Sequence, residues 1–590
     1  MGRLTESSAA NLPAPAGRAA VAGLVGVALA ATLSRHSDGA YLVSPTWVAA
    51  LQLPACALGC LGLMPPRLLG PAGRAVGGSD RRIIDGIVLA GVLTVAIRQQ
   101  SIDAALTGWV AWLAATPILG YLLRLARDLE EKTGRPTDCL RAVFTPWLMM
   151  VLLAAALLAI PLATQSGVPD YRHNFWLHVS HSAGAAVSAA CLVGTSVHSF
   201  GEDYTRFGQW VIVVVTQLSG MAFAGIGLAA VRPMLRRPVR LGTIWLGAAA
   251  IQIAAIAVTY GAWHDGDAND APQRIWFGVV HVGSAIWNSG WMMRPDGLAN
   301  YLHDGRVFVV ISAASVIGSL GLPIIIDLVR SSTGPTVEAS HLARSPWRAL
   351  PVWDAGLALA LLVGVATMAF VWESPRLSPV SMAPDRPVDF GDGRVSIRDD
   401  MPPSRRWTMA VFMSATLRSA GMQSMPVSQG AMSWPTYGLM LGAIWLGGSI
   451  AGTAGGLRTS TLALWALCRF GRRRGPSPDA SRGESAPRRL IRSIVGFCAF
   501  WIIVNLSAVG LFSLVSDATT YENIFEPVAA LGNVGLSTGA SLHLTPAGRI
   551  VIMLLMMIGR WSPAYFWMRL VLGAPETAAL PLKKSQPIAG

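Results

Sequence analysis

Apolar residues in this chain gather in long unbroken runs, not in the spaced patterns of half-buried elements. A helix crossing a bilayer needs roughly 20 mostly apolar residues. Such runs fall near 18–33, 43–63, 83–98, 105–124, 143–164, 208–230, 241–260, 307–329, 352–372, 436–468, 493–515 and 547–571. The run at 83–98 is short for the purpose. From 143 onward, shorter half-polar stretches rich in Gly, Ser and Ala stand between the runs, at 174–196, 274–292, 405–422 and 521–538. These read as re-entrant segments, which membrane depth tolerates only where protein or a water-filled cavity surrounds them. The pattern predicts an all-α polytopic membrane protein in which span, re-entrant segment and span recur four times.

Composition agrees. Of 590 residues, 53% are hydrophobic and only 13% charged, with mean hydropathy +0.48; soluble domains carry about 25% charged residues. A soluble enzyme or a nucleic-acid-binding protein is therefore a poor reading. The net charge of +14 becomes a question of sidedness. Eight arginines fall within 469–492, and Arg232, Arg236, Arg237 and Arg240 crowd one short turn without an acid. The turn GAWHDGDANDA at 261–271 holds three aspartates and no base, and 515–526 carries Asp517, Glu522 and Glu526. Basic connections lie on the cytoplasmic side, which puts all four re-entrant segments on the outer face. The prolines and balanced charges of 373–406 mark a loop. The first apolar run reads as an uncleaved helix. The six cysteines (56, 60, 139, 191, 468 and 498) form no zinc spacing. EKTG at 131–134 lacks the aspartate of a phosphorylated pump motif, and no glycine-rich loop precedes any of the three lysines, so no nucleotide site is expected.

The re-entrant segments share a form: a small-residue pair, then a glycine five or six positions on. They read VSAACLVGTS (187–196), GSAIWNSGWM (283–292), ATLRSAGMQS (415–424) and VAALGNVGLS (528–537), aligning Gly194, Gly290, Gly421 and Gly535. A short helix that enters from outside and ends at such a glycine directs its negative C-terminal end at the membrane centre, which favours a cation. Glycine lets the following carbonyls turn inward, and four such turns make rings of oxygens able to replace the hydration shell of a monovalent cation. Small residues also permit close helix packing without any ion path.

GGSIAGTAGGLRTST (447–461), FEPVAALGNVGLSTG (525–539), MMIGRWSP (556–563) and TLRSAG (416–421) give the chain a family resemblance. Over roughly 143–572 it resembles the TrkH/KtrB/HKT superfamily of potassium-translocating membrane subunits, with Arg458 where lysine is usual. The resemblance implies four units at 143–235, 238–330, 348–470 and 490–572 around a pseudo-fourfold pore. N-terminal transmembrane helices at 1–125 and a cytoplasmic tail at 573–590 would flank them. The implied ion-binding positions are Val193, Gly194 and Thr195; Asn288, Ser289 and Gly290; Ser419, Ala420 and Gly421; and Asn533, Val534 and Gly535. With glycine at all four aligned positions, it favours K⁺ over Na⁺. The implied gate is an intramembrane loop of Gly447, Gly448, Ser449, Gly452, Thr453, Ala454, Gly455 and Gly456, with Arg560 as an electrostatic barrier. Departures are CLVGTS in the first segment, WNSGWM in the second and four N-terminal runs where about two are expected.

The expected function is K⁺ uptake down its electrochemical gradient through a plasma-membrane protein with its filter outward. No cofactor is expected in the chain. The resemblance implies a homodimer and a separate cytoplasmic ring of nucleotide-binding domains; the bilayer is a partner and nucleic acid is not. The alternatives are the potassium-binding subunit of a P-type pump complex and a Na⁺-permeable transporter. A membrane enzyme would have only His178 and His181 with Glu202 and Asp203. Arg418 reads as a fastener of the third segment, Glu526 equally as a cation attractor or a helix cap, and the two histidines as cavity packing rather than metal ligands.

Overall fold

The computed structural model describes residues 136–160, 163–165, 175–235, 239–263, 271–295, 297–298, 301, 304–332, 346–373, 403–424, 427, 433–470, 486–540 and 544–572. The helices expected within 1–125, the tail at 573–590, the aspartates of 264–270, most of the loop at 373–406 and the arginines of 471–485 lie outside the described residues.

Where the chain is described it is helical, with isolated β-bridges and no strand pairing beyond them. Helix α1 (Pro136–Leu158) is followed by the shorter α2 (Phe175–Cys191) and then α3 (Arg206–Val231). Helices α4 (Leu241–Thr259), α5 (Ala271–Trp287) and α6 (Gly305–Leu320) follow, with α7 (Leu322–Ser332) bent away. Next come α8 (Pro346–Glu373), α9 (Pro403–Leu417), α10 (Trp434–Trp445) and α11 (Thr459–Phe470). The last are α12 (Ala486–Val515), α13 (Thr520–Gly532) and α14 (Pro546–Leu572). Five of these helices are long and apolar enough to cross a membrane, six if α6 and α7 count as one bent span.

Local chemistry sets the starts. Thr205 accepts the Gly208 N–H to cap α3, and Asp304 accepts the Arg306 N–H to cap α6. Thr519 and Glu522 form a reciprocal capping box on α13. The run at 307–329, expected as one straight span, is bent by 89° between α6 and α7. Gly321 adopts φ +90° at the joint and Pro323 restarts the helix in its first turn. The run at 436–468 is broken between Trp445 and Thr459, where glycine takes five of the ten positions 447–456.

Burial separates two classes of long helix. The apolar stretch of α3 is 72% buried within the chain, against 17% for α4, 22% for α8 and 28% for α12. The latter three present large apolar side chains outward, with Leu246 74% and Leu514 83% exposed, as lipid-facing helices do. The C-terminal halves of α2, α5, α9 and α13 are the most deeply buried parts, packed among the longer helices.

Candidate functional site

Four short helices end at the centre of the molecule. After α2, α5 and α13 one residue turns left-handed: Leu192 at φ 57°, Asn288 at 54° and Asn533 at 52°. The next amide then bonds back five residues, Val193 to Ser188, Ser289 to Ser284 and Val534 to Ala529, each at 2.9 Å. This is the Schellman stop, which satisfies carbonyls that the helix end leaves orphaned. Helix α9 stops differently. The back-bond to Thr416 comes from the aligned glycine itself, Gly421, and Ser419 sits at φ 142°.

The segments after these ends touch one another. A Cβ added to Gly194 would lie 2.1 Å from the Ser289 oxygen, and one on Gly290 would lie 2.4 Å from the Val193 oxygen and 3.1 Å from that of Ala420. On Gly421 it would meet Gly535 N at 2.0 Å, and on Gly535 the Val193 oxygen at 2.2 Å. The structure thus brings together the four glycines singled out in the sequence, and the oxygens of Val193, Ser289 and Ala420 among them. Backbone oxygens and the negative ends of four helices suit a bare cation.

Each end is braced differently from behind. Asn533 Nδ2 donates to Met556 O on α14 at 2.9 Å. With its amide oxygen turned toward α6, Asn288 accepts from Ser319 N at 3.1 Å and donates to Ser315 O at 3.3 Å. Leu192 is fully buried and packs in the apolar core, while Trp147 on α1 donates to Ala190 O at 3.1 Å. Arg418 is buried behind the third end, donating to Ala358 O at 3.3 Å and Gly447 O at 3.5 Å.

The 446–458 loop lies directly beneath. Ser449 N donates to Ser319 O at 2.9 Å and Thr453 N to Gly318 O at 3.0 Å, fastening the loop to α6. Gly455 N donates to Ser419 Oγ at 2.9 Å, and that hydroxyl donates onward to Asn533 O at 3.1 Å. A Cβ on Gly455 would lie 2.4 Å from that of Asn533. Arg458 Nη1 donates to the oxygens of Ser449, Gly452 and Ala454, closing the loop around one guanidinium. Gly447, Gly448 and Gly456 complete the turn, with Gly447 against the Gly455 oxygen.

Arg560 on α14 is fully buried, so it does not reach out to the surface, and its guanidinium lies 4.4 Å from the Phe223 ring centre. No hydrogen-bond partner for that guanidinium stands among the described residues. Phe144, Trp147 and Trp561 pack edge to face around the same spot. A pocket alongside is lined by Phe223, Gly227, Gly452, Arg458, Pro563 and Trp567.

Three positions differ from their sequence reading or were missed by it. Glu526 is neither an open cation attractor nor a helix cap: buried in the second turn of α13, it accepts from Ser537 Oγ at 2.7 Å and from Thr538 N and Oγ1 at 2.8 Å each. It therefore holds the strand leaving the fourth end. His181 pairs with a residue that the sequence did not suggest, its Nδ1 3.3 Å from His198 Nε2; the other nitrogen of His198 faces Asp203 at 3.9 Å. Among the described residues no cluster of three or more His, Cys, Asp or Glu could hold a metal ion. Asp354 on α8 went unremarked. It is 1% exposed and accepts the hydroxyls of Thr459 and Ser460 at the start of α11, where a negative charge suits the helix N-terminus. A lone acid in PVWDAGLALALLV was the available signal.

Comparison with known proteins follows the same lines. The model of the TrkH family, described as cation transport protein, matches residues 224–564, more than half of the chain. The Ktr system potassium uptake protein B of Bacillus subtilis is 23% identical over 71% of this chain and 89% of its own length. The potassium/sodium uptake protein NtpJ of Enterococcus hirae is 24% identical over 73% and 92%. The crystal structure of the potassium transporter TrkH from Vibrio parahaemolyticus superposes with a TM-score of 0.52 at 16% identity, covering 84% of this chain and 98% of that one. That likeness shows a shared fold.

Proposed function

The chain belongs to the TrkH family of cation transport proteins, a family of transporters and not of enzymes, and from that premise we propose that it takes up K⁺ across the plasma membrane. The ion passes a filter built from the ends of α2, α5, α9 and α13, in four units around a pseudo-fourfold axis. The observation that carries this reading is the mutual contact of Gly194, Gly290, Gly421 and Gly535 with the oxygens of Val193, Ser289 and Ala420. Carbonyls held at fixed positions replace the water that K⁺ sheds on entry.

The filter faces outward, a sidedness supported by the basic connections at 231–240 and 469–492. The 446–458 loop obstructs the path below it, and its many hydrogen bonds to α6 and to Ser419 make that closure specific. Arg560 adds a positive barrier at the same depth. Inward movement gains about 2.3 kcal/mol per charge for each 100 mV of inside-negative potential, so no ATP is consumed in this chain. No resident cofactor is required. A second copy and a separate cytoplasmic regulatory ring remain the proposed partners, and two of the relatives bear names that make them the B protein of a system.

The family match leaves the pump-subunit alternative without support. The name of NtpJ, a potassium/sodium uptake protein, makes Na⁺ permeation the competing outcome to measure. Expression in cells lacking potassium uptake should restore growth at limiting K⁺, and Gly290→Ser should weaken the preference for K⁺ over Na⁺. Failure to restore growth by protein present in the membrane would contradict the reading.

A further inference from the structure

Two glutamines lie in the middle of apolar spans, Gln217 in VVVTQLSGM of α3 and Gln252 in AAIQIAAI of α4. A polar side chain inside a membrane is costly and by default functional, yet conduction as described uses neither. The structure joins them. Gln217 Nε2 donates to Gln252 Oε1 at 3.0 Å, and Gln252 Nε2 donates back to Gln217 Oε1 at 3.4 Å. The Gln217 oxygen also accepts the indole N–H of Trp287 at 2.5 Å.

Trp287 is the last residue of α5 and immediately precedes Asn288, Ser289 and Gly290. Two small residues allow the approach. A Cβ on Gly220 would stand 2.3 Å from the Trp287 ring, and one on Gly283 would stand 2.6 Å from Gln217 Nε2. The indole thus lies directly against the α3 backbone. Because the Gln217 NH₂ is committed to Gln252, its oxygen is left aimed at the indole. The pair therefore fixes the rotation of the last turn of α5 against α3.

We propose that Gln217, oriented by Gln252, is a positioning residue that sets the aim of the Ser289 carbonyl through Trp287, and so sets discrimination between K⁺ and Na⁺. The proposal rests on the filter reading above. The Ser289 oxygen is the first atom that a Cβ on Gly194 would meet across the site, and ring selectivity depends on how many carbonyls face the ion and how strongly. The same α3–α5 pair supplies an internal control. Gln209 Oε1 accepts the Trp276 indole at 2.9 Å, the same chemistry at the opposite end of α5.

The test measures the ratio of Na⁺ to Rb⁺ flux in proteoliposomes, together with thermal unfolding. Gln217→Leu should raise the ratio roughly threefold or more, since it strands a buried indole N–H beside the filter. Trp287→Phe, which keeps a ring against Gly220 without the donor, should raise it less. The double variant should fall nearer to wild type than Gln217→Leu, because the stranded indole N–H is gone while the loss of Gln252's partner is common to both. Gln209→Leu should lower the unfolding temperature and leave the ratio unchanged. If Gln217→Leu does not fold, Trp287→Phe decides. A wild-type ratio in both, or an equal change in Gln209→Leu, overturns the proposal. Gly290→Ser run in parallel separates the two layers. If it alone shifts the ratio, the filter stands and this inference falls; if it shifts nothing, the filter reading falls and takes this inference with it.

Discussion

The ends of α13 and α9 do the same work of stopping a helix at the centre, by unlike means. At α13 the left-handed residue is asparagine, which tolerates φ 52° and spends its amide on Met556 O of α14. At α9 the stop is shifted by one residue, and the Ser419 hydroxyl bonds outward, to Gly455 of the loop and to Asn533 O of the neighbouring end. The fourth end is braced by its following helix. The third is braced by the loop that, in the proposed function, must move. The difference teaches that the third end, like the second through Thr453 Oγ1 and Ile286 O at 3.5 Å, shares hydrogen bonds between filter and gate, so disturbing one reaches the other.

Substitutions should separate these two designs. Gly421→Ala is the severest, because its Cβ would stand 2.0 Å from Gly535 N and 2.4 Å from its Cα, backbone atoms that cannot swing aside as a side chain could. Uptake should be abolished while protein still reaches the membrane, as growth at limiting K⁺ would register. Asn533→Leu imitates the first end without its packing. It forfeits the Met556 bond and places a branched side chain in the left-handed region, together about 3 kcal/mol. A fall in unfolding temperature checks it. Ser419→Ala leaves the Gly455 N–H without its acceptor, about 2 kcal/mol for a buried donor, and should raise resting cation leak as the loop loosens. Ser289→Ala is the mildest, under about 1 kcal/mol, because among the described residues that hydroxyl bonds only to Ser284 in the last turns of the preceding helix. Equal leak in the two serine variants would erase the contrast drawn here.

Much of the helical layout was legible because membrane depth leaves few options for backbone. Long apolar runs hold α3, α4, α8, α12 and α14, and the Gly-rich stretches hold α2, α5, α9 and α13. Glycine spacing pointed to Gly194, Gly290, Gly421 and Gly535, since each needs backbone approach that only glycine permits. What escaped depended on partners distant along the chain. Glu526 gains its meaning from Ser537 and Thr538 folding back over α13, and Asp354 from residues more than a hundred positions later. The 89° bend after α6 is a local signal, Gly321 followed by Pro323, hidden by the high hydropathy of its surroundings. The shifted stop at α9 has no counterpart in residue type, because SAG and NVG align equally well on their glycines.

Flux of radioactive rubidium into proteoliposomes holding an inside-negative potential tests the central claim most directly. The account predicts uptake that excess K⁺ suppresses and excess Na⁺ does not, with that discrimination weakened by Gly290→Ser. Absence of flux through folded protein, or equal competition by Na⁺ and K⁺ in the wild type, would contradict it.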